Sequence, residues 1–335
     1  MISRRHPFPH WVRHFGVTDA AGSATGTIGK YLTEALLKSG KHAVTALTRA
    51  ESPAKFPEGV QAATVNYNDE NSLIEALKGQ QFLIITMHTR APADAQSKII
   101  RAAAKAGVPY VMTNHYGPDS RNEQLMKDII IGTHVAETAR EAESLGLIHI
   151  DLSCGFWYEF SLVGDKDRYG FNLVDNSVTF FDDGKAQINT STLDHCGRAV
   201  AALLSLPILP ADEHDDSTTL SKYFNNTVYI SSFLVSQREM YESVKRATGT
   251  SDEDWKISFE SSVERYKAAV EALPKGEHSA FVRLLYTRVF FKNGDGNFEA
   301  KHGLANGTLG LPKEDFDATT KAGIDAWKSG ELEPY

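Results

Sequence analysis

The sequence predicts an α/β protein built on a doubly wound parallel sheet, with a smaller interleaved α+β lobe. Three observations carry this reading. From Thr18 onward, short apolar runs alternate with helical patterns, which is how a parallel sheet covered by helices reads. A glycine-rich turn stands at the head of that array, and beyond Gly155 the rhythm changes to aromatics and turns such as "DDGK" and "NGDG".

The elements follow in order. After the turn comes a helix, "GKYLTEALLKSG", with Leu32, Ala35 and Leu36 on one face and a stop at Gly40, then a strand, "HAVTALTR". The units continue as strand "VQAATVNY", helix "ENSLIEALKG", strand "QFLIITM", helix "ADAQSKIIRAAAKAG" and strand "PYVMTN". A helix through "HVAETAREAESLG" leads to a sixth strand, "LIHIDLSC". Farther on, "LDHCGRAVAALLSLP" is a strong helix and "TVYISSF" a strand returning to the first sheet. "SQRE", Ser236 to Glu239, fits a capping box that opens a helix carrying Met240, Val244 and Ala247.

The expected organisation is a Rossmann-type cofactor domain at 21–155 and a substrate lobe at 156–335, with 193–206 and 227–233 returning to the first domain. Residues 1–20 read as an atypical leader outside the core. A central strand should be a continuous apolar run, yet "GVTDAAGS" puts Asp19 where burying a charge is expensive. The leader holds several arginines and no acid, as a mitochondrial presequence does, but its prolines and the lack of a clean apolar face argue against one.

A chain of 335 residues with 41% hydrophobic residues has ample material for a large core. The net charge of -8, without a dense basic stripe, speaks against direct nucleic-acid binding. No apolar run approaches the ~20 residues that span a bilayer, so no membrane association is expected. Cys154 and Cys196 show no zinc or disulfide spacing, which fits a reducing, cytoplasmic setting.

The turn "GSATGTIG" carries the chemistry. A strand that passes through glycines straight into a helix places unpaired N–H groups and the positive end of the helix dipole where a pyrophosphate can sit. The candidate cofactor-binding residues are therefore Gly22, Ser23, Thr25, Gly26, Thr27, Ile28 and Gly29. Arg49 directly follows the second strand, where many such sites carry an acid for the ribose 2′-hydroxyl; a cation there favours the 2′-phosphate, hence NADP(H). Ligands in such sheets sit beyond the carboxyl ends of the strands, which adds Met87, His88, Thr113 and Asn114, with Tyr116 close behind.

The segments "ATGTIGKYLTEALL", "LTR", "AAAKAGVPYVMTNHYGPD", "CGFWYEFSL" and "DDGKAQINTSTLDHCGRAVAALLSLP" together resemble the isoflavone-reductase-like and NmrA-like branch of the atypical short-chain dehydrogenase superfamily, and within it the fungal CipA-type oxidoreductases. The resemblance runs from Ala20 to the C-terminus. It implies that "TNHYG" shapes the nicotinamide site and that "GFWYE", with Phe156, Trp157 and Tyr158, lines a substrate pocket. That branch writes its loop Gly-x-x-Gly-x-x-Gly; here the first position is Ser23, because Gly22 stands one residue early. Its reductases place a catalytic Lys near the start of the helix after "TNHYG", and no Lys occupies the matching turn. His134 is the nearest titratable residue, with Lys127 about two turns earlier; a histidine can serve as general acid near neutral pH. Tyr116 and Tyr158 are candidates to orient substrate, although neither belongs to a Tyr-x-x-x-Lys dyad.

Other constellations fail. Asp182 and Asp183 before Gly184 read as a turn, the twelve histidines include no HExxH so that no metal site is expected, and Ser153 lacks a Gly-x-Ser-x-Gly elbow. The leading expectation is an NADP(H)-dependent reductase acting on a carbonyl or conjugated double bond of a small aromatic molecule or secondary metabolite, with a homodimer or a regulatory protein as its protein partner. The alternative is a non-catalytic NADP(H)-sensing regulator that signals through a protein partner, and a third reading is a paralogue that folds but binds poorly.

Overall fold

The computed structural model describes residues 13–18, 24, 26–53, 55–88, 91–92 and 94–332, the first six by their backbone alone. The chain opens with β1 (Arg13–Thr18), α1 (Thr27–Lys38), β2 (His42–Thr48), β3 (Val60–Thr64), α2 (Glu70–Leu77), β4 (Phe82–Ile85), α3 (Ala95–Ala106) and β5 (Tyr110–Gly117). It continues with α4 (Glu123–Asp128), α5 (Gly132–Ser144), β6 (Ile148–Ser153), β7 (Phe156–Trp157), α6 (Tyr158–Leu162), β8 (Phe171–Asn172), β9 (Ser177–Phe181), β10 (Gln187–Ser191) and α7 (Leu193–Leu204). The remainder is β11 (Asn226–Tyr229), β12 (Phe233–Ser236), α8 (Gln237–Thr248), β13 (Lys256–Glu260), α9 (Ser262–Ala272), α10 (His278–Val289), α11 (Glu299–His302) and α12 (Phe316–Lys328).

Seven strands form one sheet in the order β11-β6-β5-β4-β1-β2-β3. This is the doubly wound order, and its topological switch point lies between β1 and β4. β1 pairs in parallel with both neighbours, Gly16 opposite Thr45 of β2 and Leu83 of β4. The expectation that residues 1–20 stand outside the core therefore fails for 13–18, which supply the central strand. The described strand runs to Thr18, and Asp19, whose charge argued against it, lies outside the described residues.

The chain divides into two compact units, 1–114 with 135–151 and 196–226, and 115–134 with 152–195 and 227–335. This differs from the boundary expected at 155: segments 115–134 and 227–233 group with the second unit, and the return to the first is 196–226. The physical reason is that β5, β6 and β11 each change unit partway along, so their carboxyl ends count with the second.

In the first unit, every residue of β4, "FLII", is buried, as expected for a strand covered on both faces. Leu83 and Ile85 join Leu47, Leu73, Leu77, Ile99, Ile100 and Val111 in one apolar cluster. Helix α1 buries Leu32 and Leu36 completely, and truncating either to Ala would cost about 2–5 kcal/mol. Helix α7 crosses α1 closely: a Cβ on Gly197 would lie 2.5 Å from the carbonyl oxygen of Tyr31, so only glycine fits there.

The second unit contains two three-stranded sheets, β12-β10-β7 and β13-β9-β8. Its interior is aromatic, with Tyr158, Tyr169, Phe171, Phe180 and Phe290 fully buried. The capping box at Ser236 forms: its hydroxyl accepts from the Glu239 N–H, and the Glu239 carboxylate accepts from the Ser236 N–H at 2.8 Å. Asp182 adopts φ +54 and accepts from the Ser262 N–H and hydroxyl, a turn role that accounts for the paired aspartates. Among the described residues no helix is long and apolar enough to cross a membrane, and no group of three His, Cys, Asp or Glu side chains is arranged to hold a metal.

Candidate functional site

The first helix of a doubly wound sheet starts where the ligand is expected, and here Gly26 stands at that start. Gly26 caps α1 in an extended conformation with no side-chain cap bond, and the first turn contains no acid. A helix end of this kind leaves donors and the positive end of its dipole for an anion. Ile28 and Gly29 turn inward and are buried, Thr27 and Gly26 are half-buried, and the Lys30 N–H closes the first helical bond on the Gly26 carbonyl at 3.0 Å. Gly22, Ser23 and Thr25 lie outside the described residues. Arg49 is exposed directly after β2, and its carbonyl accepts from the Ser52 N–H at 3.0 Å, which turns the chain there.

At the carboxyl ends of β4 and β5 the expected residues bind one another. The Asn114 carboxamide accepts from the Met87 N–H and donates to the Met87 carbonyl, both at 3.0 Å. The Asn114 N–H donates to Gln96 Oε1 at 2.9 Å, and Gln96 Nε2 donates to Thr138 Oγ1 at 3.2 Å. Thr113 is buried and its hydroxyl donates to the buried carboxylate of Asp151. These side chains therefore clamp two strand ends. His88 is half-buried and begins the following turn, its carbonyl accepting from the Ala91 N–H at 2.9 Å.

In the second unit the expected residues separate. Tyr116 is half-buried on β5, whereas Lys127 on α4 and His134 on α5 are both exposed. Phe156 is buried and stacks on Tyr286 at 4.0 Å, and Trp157 is half-buried with its ring edge-on to Phe160 at 5.7 Å. Tyr158 does not face open space: it is 0% exposed, packs on Phe233 and Phe316, and hydrogen-bonds Thr320 Oγ1 at 2.7 Å. Burial pushes its phenol well above the ordinary range. Its place is in the core, because "GFWYE" starts the short helix α6, whose residues turn inward. A cavity of about 10 Å³ lined by Phe156, Asn189 and Phe298 has room for one water.

Two groups of polar residues were not legible in the sequence. Beside Tyr158, the buried Glu159 accepts from the Leu193 N–H at 2.9 Å, and burial raises its carboxyl to about 7. Beyond β5, Asp119 is 1% exposed, accepts from the Tyr229 hydroxyl at 2.7 Å and lies 3.0 Å from His302 Nε2. Asp119 and His302 stand 183 residues apart, so no local spacing could have paired them. The weak signal was that Tyr229 ends a strand and Asp119 follows one.

Residues 23–147 match the family model described as NAD(P)H-binding. Over 299 residues the chain is 27% identical to the oxidoreductase aprR of Aspergillus flavus, covering 88% of this chain and 94% of that protein. Among solved structures, isoflavone reductase superposes with a TM-score of 0.71 at 17% identity, covering 93% of this chain and 99% of that one. An NADPH-dependent quinone oxidoreductase from Escherichia coli, complexed with NADPH, gives a TM-score of 0.66 at 17% identity with the same coverage. The glycine-led helix beside the switch point, the matched domain and these likenesses agree: the chain carries an NAD(P)H-binding domain and shares the fold of isoflavone reductase and of the quinone oxidoreductase.

Proposed function

We propose that this protein is an NADP(H)-dependent oxidoreductase that reduces a carbonyl or conjugated double bond in a small aromatic molecule. The observation that carries the reading is the glycine-led start of α1, with no acid in its first turn, beside the switch point of a sheet whose domain matches an NAD(P)H-binding family. The residues present suit the cofactor. Gly26 and Gly29 keep side chains away from the helix end, and the exposed Arg49 at the end of β2 offers the cation that a 2′-phosphate needs.

When bound, NADPH supplies the hydride. The chain's own contribution at this site is to hold the pyrophosphate on N–H groups and to fix the strand ends, through the Asn114 clamp on Met87 and the Thr113–Asp151 bond, so that the floor of the site does not shift. Trp157, half-buried at the start of α6, offers aromatic surface for a planar substrate. Tyr116, Lys127 and His134 stand as proton-donor candidates by sequence position alone. The substrate class is supported by the relatives' own descriptions as an oxidoreductase, an isoflavone reductase and a quinone oxidoreductase.

The test is thermal unfolding with NADPH and with NADH, followed by NADPH oxidation with a panel of aromatic ketones and enones. A ligand that binds only the folded state raises stability, by about 2.7 kcal/mol at a hundredfold excess over Kd. Stabilisation by NADPH over NADH with turnover supports the reading; stabilisation without turnover on any panel member favours the regulator.

A further inference from the structure

We propose that two copies of this chain join edge to edge through β13, antiparallel and across a twofold axis at Ser258. The inference is independent of the oxidoreductase reading and rests on the second unit alone. Strand β13, "KISFE", ends its sheet in the order β13-β9-β8, with no described strand on its far side, and every one of its residues is exposed. Natural edges are blunted by brevity, bulges, proline or charge, because a row of unpaired N–H and C=O groups invites another strand. This edge has neither bulge nor proline, and it follows β9 in unbroken register from Lys256 opposite Ser177 to Glu260 opposite Phe181.

The ladder decides which residues offer that row. The Lys256 N–H donates to the Asn176 carbonyl at 2.8 Å and the Glu260 carbonyl accepts from the Asp182 N–H at 2.7 Å, so alternate residues from Lys256 to Glu260 turn their peptide groups toward β9. Ile257 and Phe259 therefore present theirs outward. The side chains of the same two residues share a face with the buried Val178 and Phe180 opposite them. Phe259 reaches Phe180, ring centroids 5.7 Å apart, yet stays 58% exposed, and Ile257 is 38% exposed. The apolar face of the sheet thus continues onto its edge and ends in solvent.

What fits this edge is a second copy of it. Turned antiparallel about Ser258, the strand meets itself with Ile257 opposite Phe259, Ser258 opposite Ser258, and Lys256 opposite Glu260 at both ends. The outward peptide groups of Ile257 and Phe259 then form hydrogen-bonded pairs and Ser258 a non-hydrogen-bonded one, the alternation that an antiparallel ladder requires. Each ammonium lies directly across from a carboxylate, a pairing that stabilises a ladder where like charges would oppose it. Both groups are reachable: Lys256 is largely exposed with Asp175 4.0 Å away, and Glu260, which accepts from Arg265 Nη1 at 2.6 Å, remains half-exposed. A lone edge lysine only repels a neighbour, whereas a lysine and a glutamate placed symmetrically about the middle residue select an antiparallel copy in this register. One short strand per copy is a small contact beside ordinary stable interfaces, so the dimer forms and dissociates with concentration.

The experiment uses the full chain. Sedimentation equilibrium should show a monomer that converts to a dimer as concentration rises, and Lys256→Glu, which sets like charges across both ends, should raise the dissociation constant at least about tenfold. Disulfide trapping reads the register. A non-hydrogen-bonded pair brings its Cα atoms to about 4.5 Å, within the span of a disulfide, whereas the two copies of position 256 would stand about 14 Å apart. Under mild oxidation Ser258→Cys should therefore give a covalent dimer and Lys256→Cys should not; the natural Cys154 and Cys196 are buried. Both positions are exposed, and unfolding midpoints near the wild-type value should accompany all three substitutions. A wild-type chain that stays monomeric into the millimolar range leaves the edge to a strand of some other protein and overturns the proposal. So does a dimer that Lys256→Glu leaves intact, or Ser258→Cys that crosslinks no faster than Lys256→Cys. None of these results bears on NADPH binding at α1, and a failure of NADPH to bind would leave the β13 contact standing.

Discussion

Replacing Gly197 by Ala tests how the fold positions the cofactor helix, because two effects of opposite sign meet at one atom. In a helix interior Ala is favoured over Gly by about 1 kcal/mol, so propensity alone predicts a more stable protein. The new Cβ, however, would lie 2.5 Å from the Tyr31 carbonyl oxygen, 3.0 Å from its carbon and 3.3 Å from Ala35 Cβ. Reaching even the about 3.3 Å of a close C–H···O contact requires the helices to part by roughly 0.8 Å. The obstructing atoms belong to the backbone of α1 and cannot swing aside, so the strain falls toward the upper part of the about 1–3 kcal/mol usual for overpacking. The net expectation is destabilisation by about 1–2 kcal/mol. Since the start of α1 is the cofactor site we propose, weaker NADPH binding should accompany it. Urea unfolding of the full chain followed by circular dichroism, with NADPH titration by fluorescence, measures both. A variant as stable as wild type, or more so, would refute the close-approach argument and the placement of α7 against α1.

Other outcomes follow from the same geometry. Arg49→Glu should reverse the preference between NADPH and NADH in titrations, because it sets an anion against the 2′-phosphate; an unchanged ratio would detach Arg49 from the site. Tyr158→Phe removes the bond to Thr320 and should lower stability by about 0.5–1.5 kcal/mol while leaving KM for the enone unchanged, whereas a raised KM would return Tyr158 to the substrate site. Glu159 has a folded pKa raised to about 7 from 4.5, so the unfolded state loses this proton first as pH rises. Stability from this group is then complete below the lower value and declines toward the higher one, with a slope of at most about 1.4 kcal/mol per pH unit. Urea midpoints measured from pH 4 to 8 should show that decline in wild type and a flatter profile in Glu159→Gln.

The alternation of β4, α3 and β5 was legible because each has one dominant period and a stop signal, such as Gly107, which caps α3 at φ +79. β1 was misjudged because one acidic residue, Asp19, was allowed to outweigh the preceding run, although 13–18 pair with both neighbouring strands. The glycine that opens α1 could be read from local order, since a turn and its helix are contiguous. Tyr158 was misplaced for a physical reason: aromatic residues that line a pocket and those that fill a core have the same composition, and only packing separates them. The contact of His302 with Asp119 and Tyr229 could not be found at all, because its three partners come from distant segments.

The central claim, that the glycine-led start of α1 with Arg49 at the end of β2 forms an NADP(H) site, is tested most directly by calorimetric titration of the full chain with NADPH and with NADH. The account predicts saturable binding of one NADPH per chain, at least about tenfold tighter than NADH, a difference of about 1.4 kcal/mol. Equal affinity would contradict the role of Arg49, and no heat with either nucleotide would contradict the site itself.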